Sequence, residues 1–495
     1  MLDLAVGTVC LRGLTMRLFS VCAAVAVALC GVRALAADAF VRVSPRDCRY
    51  FELSDGTPYI PIGLNMIAPW GRTEAEALAR MEKWMRLLSD NGGNFIRIWA
   101  SNDFFNVEHE KSGVYDAEKA RRLDAVLDMA DRYGIRVKFT IEHFRHFFSE
   151  RESWANKNIH HVSMGGPAKD VSDFFAGEKS REQFRRKLDW YARRYGDRPT
   201  IFAWELWNEV NCGTGGGVTI EAAAEQMEWT RVMLEALHER FPRNLATQSL
   251  GSFDNDRVRE LYRELSCMPG NDMAQVHRYL DLGASLAVCK GPVDVLAADA
   301  VAELRAFRPG KPILLAESGA VEPSHSGPFK LYDKDRAGII LHDVVFAPFF
   351  AGAAGAGQCW HWDRYVEARD LWWQFGRFAE AVKGLDPAAE GFEPVRLDQG
   401  RLRVYALKGK RTFVAWCRDT QNMWETELAQ GLAPQTLANV TLDLRGARLP
   451  ETATMADLYD PWTNKHVTAA VEDGRILLPQ IVRSAVVRIG LDESR

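Results

Sequence analysis

The chain has 495 residues, which is long enough for two or three domains or for one large barrel with an appendage. Its hydrophobic content of 47% and charged content of 26% are ordinary for a soluble globular protein. The formal net charge of -4 argues against nucleic acid or an anionic membrane surface as the main partner.

The N-terminal segment has the residue order of a secretory signal peptide. Residues 18–32 form an apolar run that follows Arg17 and precedes a segment of small residues ending in Ala36 and Ala37. The run is shorter than a typical membrane-spanning helix. We therefore expect residues 1–36 to be a signal peptide cleaved after Ala36, which would make the protein secreted or periplasmic with no stable membrane anchor. Six cysteines remain, without a CxxC pair, and leave room for one or two disulfides.

From residue 59 onward, short apolar segments alternate with amphipathic helical segments. Eight such pairs predict an α/β fold, a (β/α)8 TIM barrel over residues 37–388, with a hairpin at 40–58 that turns at Ser54-Asp55-Gly56. A doubly wound sheet is disfavoured because no glycine-rich phosphate turn follows the first strand. The predicted strands are 59–65, 94–100, 135–143, 200–209, 245–252, 272–280, 312–319 and 355–362. The predicted helices are 73–91, 117–133, 181–195, 219–240, 254–265, 293–307, 333–350 and 370–385.

After about residue 390 the pattern changes to short alternating runs, such as RLRVYAL, RTFVAWC and NVTLDL. Turn-forming residues separate these runs. The pattern predicts a small C-terminal antiparallel β domain, similar to a β-sandwich, over residues 389–495.

Two glutamates stand at the exits of predicted strands four and seven. Alternation along strand four places five residues on one face: Ile201, Ala203, Glu205, Trp207 and Glu209. Glu209 then ends strand four and Glu317 ends strand seven, and in a barrel these two exits face each other at the end where active sites are built. Two facing carboxyl groups suit glycoside hydrolysis, in which one protonates the leaving oxygen while the other attacks the anomeric carbon or activates water.

The motif Trp207-Asn208-Glu209, together with Glu317, resembles clan A of the glycoside hydrolases, and within it family 5, the cellulase and mannanase family. The resemblance covers about residues 50–386. It implies a retaining double displacement with Glu209 as acid/base and Glu317 as nucleophile, and no cofactor. It also implies six supporting positions: Arg97 on the nucleophile, His143 as a substrate-binding histidine, Asn208 on the sugar 2-hydroxyl, His277 and Tyr279 as a His-x-Tyr pair whose tyrosine contacts the nucleophile, and Trp360 as the floor of the first subsite.

Several of these positions also have a purely structural interpretation. Glu205 lies deeper in its strand than Glu209, so we expect a buried carboxylate that needs Arg97 or another inward residue as its partner. Arg97 is either that partner alone or a contact of the nucleophile as well. His143 is either a ligand or a satisfied core histidine, and Trp362 shares a face with Trp360 as a sugar platform.

A metal site is not expected. The pairs His160-His161 and His143 with His146 lack a third ligand at a suitable spacing, and an HExxH motif is absent. The GTGGG segment at 213–217 predicts a flexible loop, since it does not precede a helix as a phosphate loop does. The long segment 144–180 after strand three predicts a functional or mobile loop.

The sequence thus predicts a secreted retaining β-glycoside hydrolase that acts on a β-linked poly- or oligosaccharide and not on nucleic acid. Two alternatives stay open: a non-catalytic carbohydrate-binding barrel protein, and a transglycosylase that uses the same residues. The sugar, endo or exo action and the oligomeric state are left undetermined. Trp416, Trp424 and Trp462 are compatible with a C-terminal domain that binds sugar or one that braces the barrel.

Overall fold

The computed structural model describes residues 38–143, 159–214 and 220–491. The predicted signal peptide, most of the GTGGG segment and the start of the long loop with Trp154 lie outside these residues. In the described part of the chain, no helix is both long and apolar enough to span a membrane. The six cysteines there are all free thiols.

An antiparallel three-stranded sheet comes first and consists of β1 (Val41–Val43), β2 (Phe51–Leu53) and β3 (Pro58–Tyr59). The predicted turn joins β2 to β3, and Gly56 adopts a φ of 90° in it, a conformation that favours glycine. The prediction of one strand over 59–65 is wrong, because Tyr59 pairs with Phe51 in this first sheet and the parallel strand begins only at Gly63. Pro61 separates the two strands, since proline has no N–H for a strand ladder.

Parallel strands and helices then alternate as predicted. The strands are β4 (Gly63–Asn65), β5 (Phe95–Trp99), β6 (Arg136–Glu142), β7 (Ile201–Trp207), β8 (Leu245–Thr247), β9 (Ala274–His277), β10 (Leu280–Asp281), β11 (Ile313–Glu317) and β12 (Ala320–Val321). The helices are α1 (Glu74–Asp90), α2 (Ala117–Arg132), α3 (Val171–Ala176), α4 (Glu178–Tyr195), α5 (Ile220–Arg240), α6 (Arg259–Cys267), α7 (Val293–Ala306), α8 (Ile339–Phe350), α9 (Trp373–Ala381) and α10 (Pro387–Glu390). Strands β4 to β8 form one parallel sheet in chain order, β9 pairs with β11, and β10 with β12.

The eighth predicted strand, at 355–362, is an irregular segment whose backbone is hydrogen-bonded to its neighbours on both sides. The Gln358 N–H donates to the carbonyl of Leu315 and the Ala356 N–H to that of Pro61, both at 2.9 Å. Cys359 makes isolated parallel bridges to Leu64 of β4 and to Ser318 just after β11. The segment before it is rich in glycine and alanine and lies close to α8. A Cβ on Gly357 would stand 2.1 Å from the carbonyl oxygen of Val344, so glycine is what lets this backbone pack so closely on the helix.

The predicted C-terminal antiparallel sheet is present. Its strands are β13 (Glu393–Arg396), β14 (Leu402–Lys408), β15 (Thr412–Asp419), β16 (Thr441–Asp443), β17 (Met455–Asp460), β18 (Lys465–Ala470), β19 (Arg475–Leu477) and β20 (Ser484–Gly490). Six of them form a sheet in the order β13-β14-β15-β20-β17-β18, and β16 pairs with β19. Every residue of α8 is buried, because this helix packs against α7, α9 and strands β14 and β15.

Two of the three tryptophans of the C-terminal domain are buried, and Trp462 is half-buried. Trp416 is fully buried, and its ring centroid lies 5.8 Å from that of Phe346 in α8. Trp462 lies 4.5 Å from the ring of His342 in the same helix, and Trp424 is only 6% exposed. These three rings therefore brace the C-terminal sheet against the parallel β/α part and do not form an exposed sugar platform.

A buried ion pair joins the same two parts. The Arg418 guanidinium of β15 donates to both carboxylate oxygens of Asp343 in α8, at 2.6 and 3.1 Å. Removal of one member leaves the other charge buried without its partner, so we expect Arg418→Ala to lower the free energy of unfolding by about 3–5 kcal/mol. Arg445→Ala removes an exposed pair with Asp443 and is expected to leave the urea midpoint near that of the wild type. Equal urea midpoints for the two variants would contradict this account.

Candidate active site

A cleft of about 950 Å³ opens where the parallel strands end. Five of the residues predicted for the site line this cleft: Asn208, Glu209, Tyr279, Glu317 and Trp360. The other three, Arg97, His143 and His277, are buried beneath or behind them. The structure therefore brings together, at one end of the strands, residues that are far apart in the sequence.

The backbone at Glu209 departs from a simple strand. Strand β7 ends at Trp207, and Glu209 has a φ of 53°, a left-handed conformation that costs roughly 1–2 kcal/mol for a residue with a Cβ. The hydroxyl of Ser249 accepts a hydrogen bond from the Glu209 N–H at 3.0 Å and stabilises this turn. The predicted alternation places Glu205 and Glu209 correctly. It is wrong for Trp207, whose ring packs against Trp229 of α5.

The carboxylate of Glu317 accepts hydrogen bonds from two of the predicted residues. The Arg97 guanidinium donates to Oε1, and the Tyr279 hydroxyl donates to Oε2 at 2.7 Å. Arg97 also donates from Nε to Glu205 at 2.7 Å, so it is at once the structural partner of Glu205 and a contact of Glu317. Both contacts that the resemblance implied for Glu317 are present.

His277 links the two carboxyl groups. Its Nδ1 lies 2.8 Å from Oε1 of Glu209 and 3.4 Å from Oε2 of Glu317. One oxygen from each carboxyl group and this nitrogen all lie within 4.8 Å of one another. Burial, and then the positive charge of Arg97, hold the pKa of His277 well below its usual range. The imidazole is therefore neutral, and its Nδ1 shares a hydrogen bond with Oε1 of Glu209.

The two carboxyl groups differ in how strongly they hold a proton. Burial raises the pKa of Glu209 well above its usual range, and the charge of Glu317 raises it further. Burial also raises the pKa of Glu317, but the Arg97 charge and the hydrogen bonds from Tyr279 and Arg97 oppose this increase. Glu209 is therefore the group that keeps the proton, and Glu317 is the one that ionises.

A buried polar network supports Arg97 from below. Glu205 accepts from Thr140 at 2.5 Å and from Gln275 at 3.0 Å, and Gln275 accepts from Lys138 at 2.7 Å. Burial lowers the pKa of Lys138 to about 7. Burial opposes ionisation of Glu205, but Arg97 and Lys138 bring its pKa below the usual range. Glu205 is thus an ionised structural carboxylate, as expected.

Asn208 is oriented by the same arginine. The Arg97 guanidinium donates to Oδ1 of Asn208 at 2.6 Å. Because a guanidinium has no acceptor, the amide oxygen of Asn208 must face Arg97, and its NH2 group is what remains as a donor toward a ligand. This orientation matches the role that the resemblance implies at the sugar 2-hydroxyl.

Aromatic residues form a second side of the cleft. Trp360 and Trp362 both line it, with ring centroids 6.1 Å apart and planes at 84°. Trp360 lies 5.1 Å from Trp99, and Trp99 also stacks on the ring of His143 at 4.6 Å. His143 therefore lies behind Trp99, with Nδ1 2.6 Å from the Ser101 hydroxyl, and not on the cleft surface.

Two groups of side chains among the described residues have atoms close enough together to hold a metal ion. They are Glu209, His277 and Glu317, and Asp254, Asp281 and His325. In the first group, Glu317 already accepts from Arg97 and Tyr279, and Glu209 is hydrogen-bonded to His277. His160, which the sequence analysis considered and set aside as a ligand, lies 3.2 Å from Oε1 of Glu142. The second group was not predicted from the sequence, because its members lie on three separate segments and follow no fixed spacing.

Comparison with known proteins agrees with this site. The family profile described as Cellulase (glycosyl hydrolase family 5) matches residues 54–340. Mannan endo-1,4-beta-mannosidase 3 from Oryza sativa subsp. japonica is 26% identical over 344 residues, which cover 63% of this chain and 68% of the relative. Mannan endo-1,4-beta-mannosidase 7 from Arabidopsis thaliana is 25% identical over 391 residues, which cover 73% and 82% of the two chains.

Solved structures share the fold. A glycoside hydrolase family 5 from Bacteroides vulgatus ATCC 8482 superposes with a TM-score of 0.56 at 15% identity, covering 91% of this chain and 93% of its own. The endo-1,4-beta-mannanase from Rhizomucor miehei gives 0.52 at 16% identity, covering 69% and 99%. Because the family profile matches more than half of the sequence, the chain belongs to glycosyl hydrolase family 5 and is a glycosidase that hydrolyses O-glycosyl compounds.

Proposed function

We propose that this protein is a retaining glycosidase that cleaves β-1,4-linked mannan, or oligosaccharides derived from it, by double displacement. The observation that carries the proposal is the approach of Glu209 and Glu317, which bring carboxylate oxygens within 4.8 Å of each other. Retaining glycosidases hold their carboxyl groups about 5–5.5 Å apart, whereas inverting enzymes need about 6.5–9.5 Å to admit a water molecule. The similarity to two plant mannan endo-1,4-beta-mannosidases supports the choice of mannan.

In the first half-reaction, the Glu317 carboxylate attacks the anomeric carbon while Glu209 gives its proton to the glycosidic oxygen. The leaving sugar departs as an alcohol, and a glycosyl ester forms on Glu317. Glu209 is then a carboxylate and removes a proton from water, which attacks the same carbon and releases the sugar. Arg97 and Tyr279 keep the Glu317 oxygens oriented and ionised throughout.

We further propose that the parallel strands close into an eight-stranded barrel. The bridges of Cys359 to both Leu64 and Ser318 support closure on one side. On the other side, the Asp272 N–H donates to the carbonyl of Ala246 at 2.9 Å, between the segments that carry β9 and β8. The shared fold with family 5 structures supports the same arrangement.

Export is proposed on the sequence of the N-terminus alone. We expect the protein recovered from the periplasm or medium of a bacterial host to begin at Ala37. N-terminal sequencing of that fraction tests this, and a chain found only in the cytoplasm with its first 36 residues intact would overturn it.

The substrate is tested by incubation with β-mannan, glucomannan, β-glucan and xylan, followed by reducing-sugar assays. We expect release from mannan that is lost in Glu317→Gln. Binding without release would favour the carbohydrate-binding alternative. Products longer than the starting oligosaccharide would favour a transglycosylase, since only the acceptor that resolves the glycosyl ester differs between the two reactions.

Tyr279→Phe is expected to shift the acid side of the pH profile. The hydrogen bond from Tyr279 lowers the pKa of Glu317, so its removal raises that pKa. Because Glu317 must be ionised to attack, the acid limb of kcat/KM moves to higher pH, and kcat/KM at the optimum falls by about 10-fold to 100-fold. Tyr195→Phe removes a buried tyrosine hydroxyl that binds Asp124, and serves as the control. An unmoved acid limb in Tyr279→Phe would contradict the role of this bond.

A further inference from the structure

A second cluster of titratable side chains borders the cleft. His325 Nε2 lies 3.7 Å from Oδ2 of Asp254 and 3.6 Å from Oδ2 of Asp281, at ion-pair distance from both. Asp254 and His325 line the cleft, whereas Asp281 is 1% exposed behind them. The mechanism described above uses none of the three residues.

The buried aspartate fixes the loop that carries His325. Oδ1 of Asp281 accepts hydrogen bonds from the N–H groups of Gly283 at 2.7 Å and Ser324 at 2.9 Å. Ser324 and His325 both have positive φ angles, 61° and 56°, which residues with a Cβ rarely adopt. The bond from Ser324 to Asp281 holds this turn in place, so that the imidazole of His325 has a defined position in the cleft wall.

The cluster is adjacent to the reacting groups. The His325 ring packs edge-on against Tyr279, with centroids 5.2 Å apart and planes at 82°, and Tyr279 in turn donates to Glu317. The segment that leads into Asp254 contacts the acid/base. Ser249 accepts from the Glu209 N–H at 3.0 Å, and the Phe253 N–H donates at 2.8 Å to the carbonyl of His277, whose ring binds Glu209. Because Glu209 delivers its proton to the leaving oxygen, a side chain beside it faces the sugar that leaves.

The Asp254 carboxylate is a suitable hydrogen-bond acceptor for neutral hydroxyl groups. Burial opposes its ionisation, but the nearby His325 imidazole and the hydrogen bond from Asn255 keep its pKa below the usual range. Asn255 donates to its Oδ1 at 2.7 Å. An ionised carboxylate accepts hydrogen bonds and donates none, and sugar hydroxyls are its natural donors.

We propose that Asp254 is a subsite residue for the leaving sugar, where its carboxylate accepts hydrogen bonds from the hydroxyls of that pyranose ring, and that His325 positions this carboxylate. The inference rests on the proposed glycosidase function. It adds a residue that helps to select the sugar on the leaving-group side of the cleaved bond. The ligand class is an uncharged hydroxylated ring, so an aryl leaving group gains nothing from Asp254.

Two substrates with the same glycone separate binding of the leaving sugar from proton delivery. A β-1,4-linked disaccharide and the phenyl β-glycoside both need a proton from Glu209, but only the disaccharide has hydroxyls on its leaving group. Their kcat/KM values both report the first half-reaction. We expect Asp254→Ala to lower kcat/KM for the disaccharide by about 10-fold to 100-fold, and at least tenfold more than for the phenyl glycoside. Asp254→Asn keeps the shape and should show the same selectivity with a smaller loss.

His325→Ala is expected to show the same preference for loss on the disaccharide, seen mainly in KM, as a positioning residue should. Asp256→Ala is the matched control, since Asp256 lies two residues further on, is exposed, pairs with Arg259 and does not line the cleft. Equal losses on both substrates would mean that Asp254 acts only through Glu209, and no loss on either would mean that it contacts no sugar. Both results overturn the inference, whereas a wild type that hydrolyses neither substrate would overturn the proposed function and the inference together.

Discussion

Glu317→Ala is expected to lower kcat/KM on β-linked oligosaccharides by on the order of 10⁴-fold or more, because the variant has no group to attack the anomeric carbon. Arg97 and Tyr279 remain and now face an empty space where the carboxylate stood. Steady-state hydrolysis of mannan oligosaccharides measures the loss. Glu228→Ala removes an exposed carboxylate paired with Arg231 and is expected to behave as the wild type.

Azide supplies the missing nucleophile. With an activated aryl β-glycoside, azide that occupies the vacated space attacks from the face opposite the leaving group. We therefore expect the activity of Glu317→Ala to recover with azide concentration and the product to be the α-glycosyl azide. A β-glycosyl azide, or full activity without azide, would remove Glu317 from the nucleophile role.

Glu209→Ala is expected to lose activity in proportion to how much the leaving group needs a proton. For a sugar or phenyl leaving group, kcat/KM should fall by about 10²-fold to 10⁴-fold, the usual contribution of general acid catalysis. A dinitrophenyl glycoside leaves without protonation, so its first step should change little, and azide should then yield the β-glycosyl azide. Equal losses for all leaving groups would contradict the acid role.

The pH profile gives an independent test of the same residue. Burial and the charge of Glu317 raise the pKa of Glu209, so its carboxyl group stays protonated at pH values where an exposed glutamate is ionised. Activity therefore persists as pH rises and falls only when pH passes this raised pKa. We expect the alkaline limb of kcat/KM to be present in the wild type and absent in Glu209→Ala. An alkaline limb that persists in the variant would assign it to another group.

The sequence predicted those parts of the fold and of the site that depend on a local residue pattern. The alternation of apolar and helical segments predicted the order of the parallel strands and helices, and the strand exits placed Glu209 and Glu317 together. Alternation failed at Trp207, whose ring packs against α5, and no residue pattern indicates the left-handed backbone of Glu209. The eighth segment lies where the sequence predicted it, but its ladder is irregular and its bridges are confined to Cys359.

The remaining parts of the site depend on contacts between distant segments. Lys138 and Gln275 meet beneath Arg97 only because their strands are both in the parallel array, and nothing in the local sequence of either residue predicts this contact. The pair of Asp254 and His325 likewise requires the Ser324 turn, which Asp281 holds through a hydrogen bond across 43 positions of the chain. Such groups are found by side-chain geometry and not by spacing.

The central claim, retention through a glycosyl ester on Glu317, is tested most directly by the anomer of the first product. Proton NMR of the wild-type reaction, recorded before mutarotation equilibrates the sugars, distinguishes the two anomers. The account predicts that the β-anomer forms first and the α-anomer appears later by mutarotation. Initial formation of the α-anomer would mean a single inverting displacement by water, and would contradict the role assigned to Glu317.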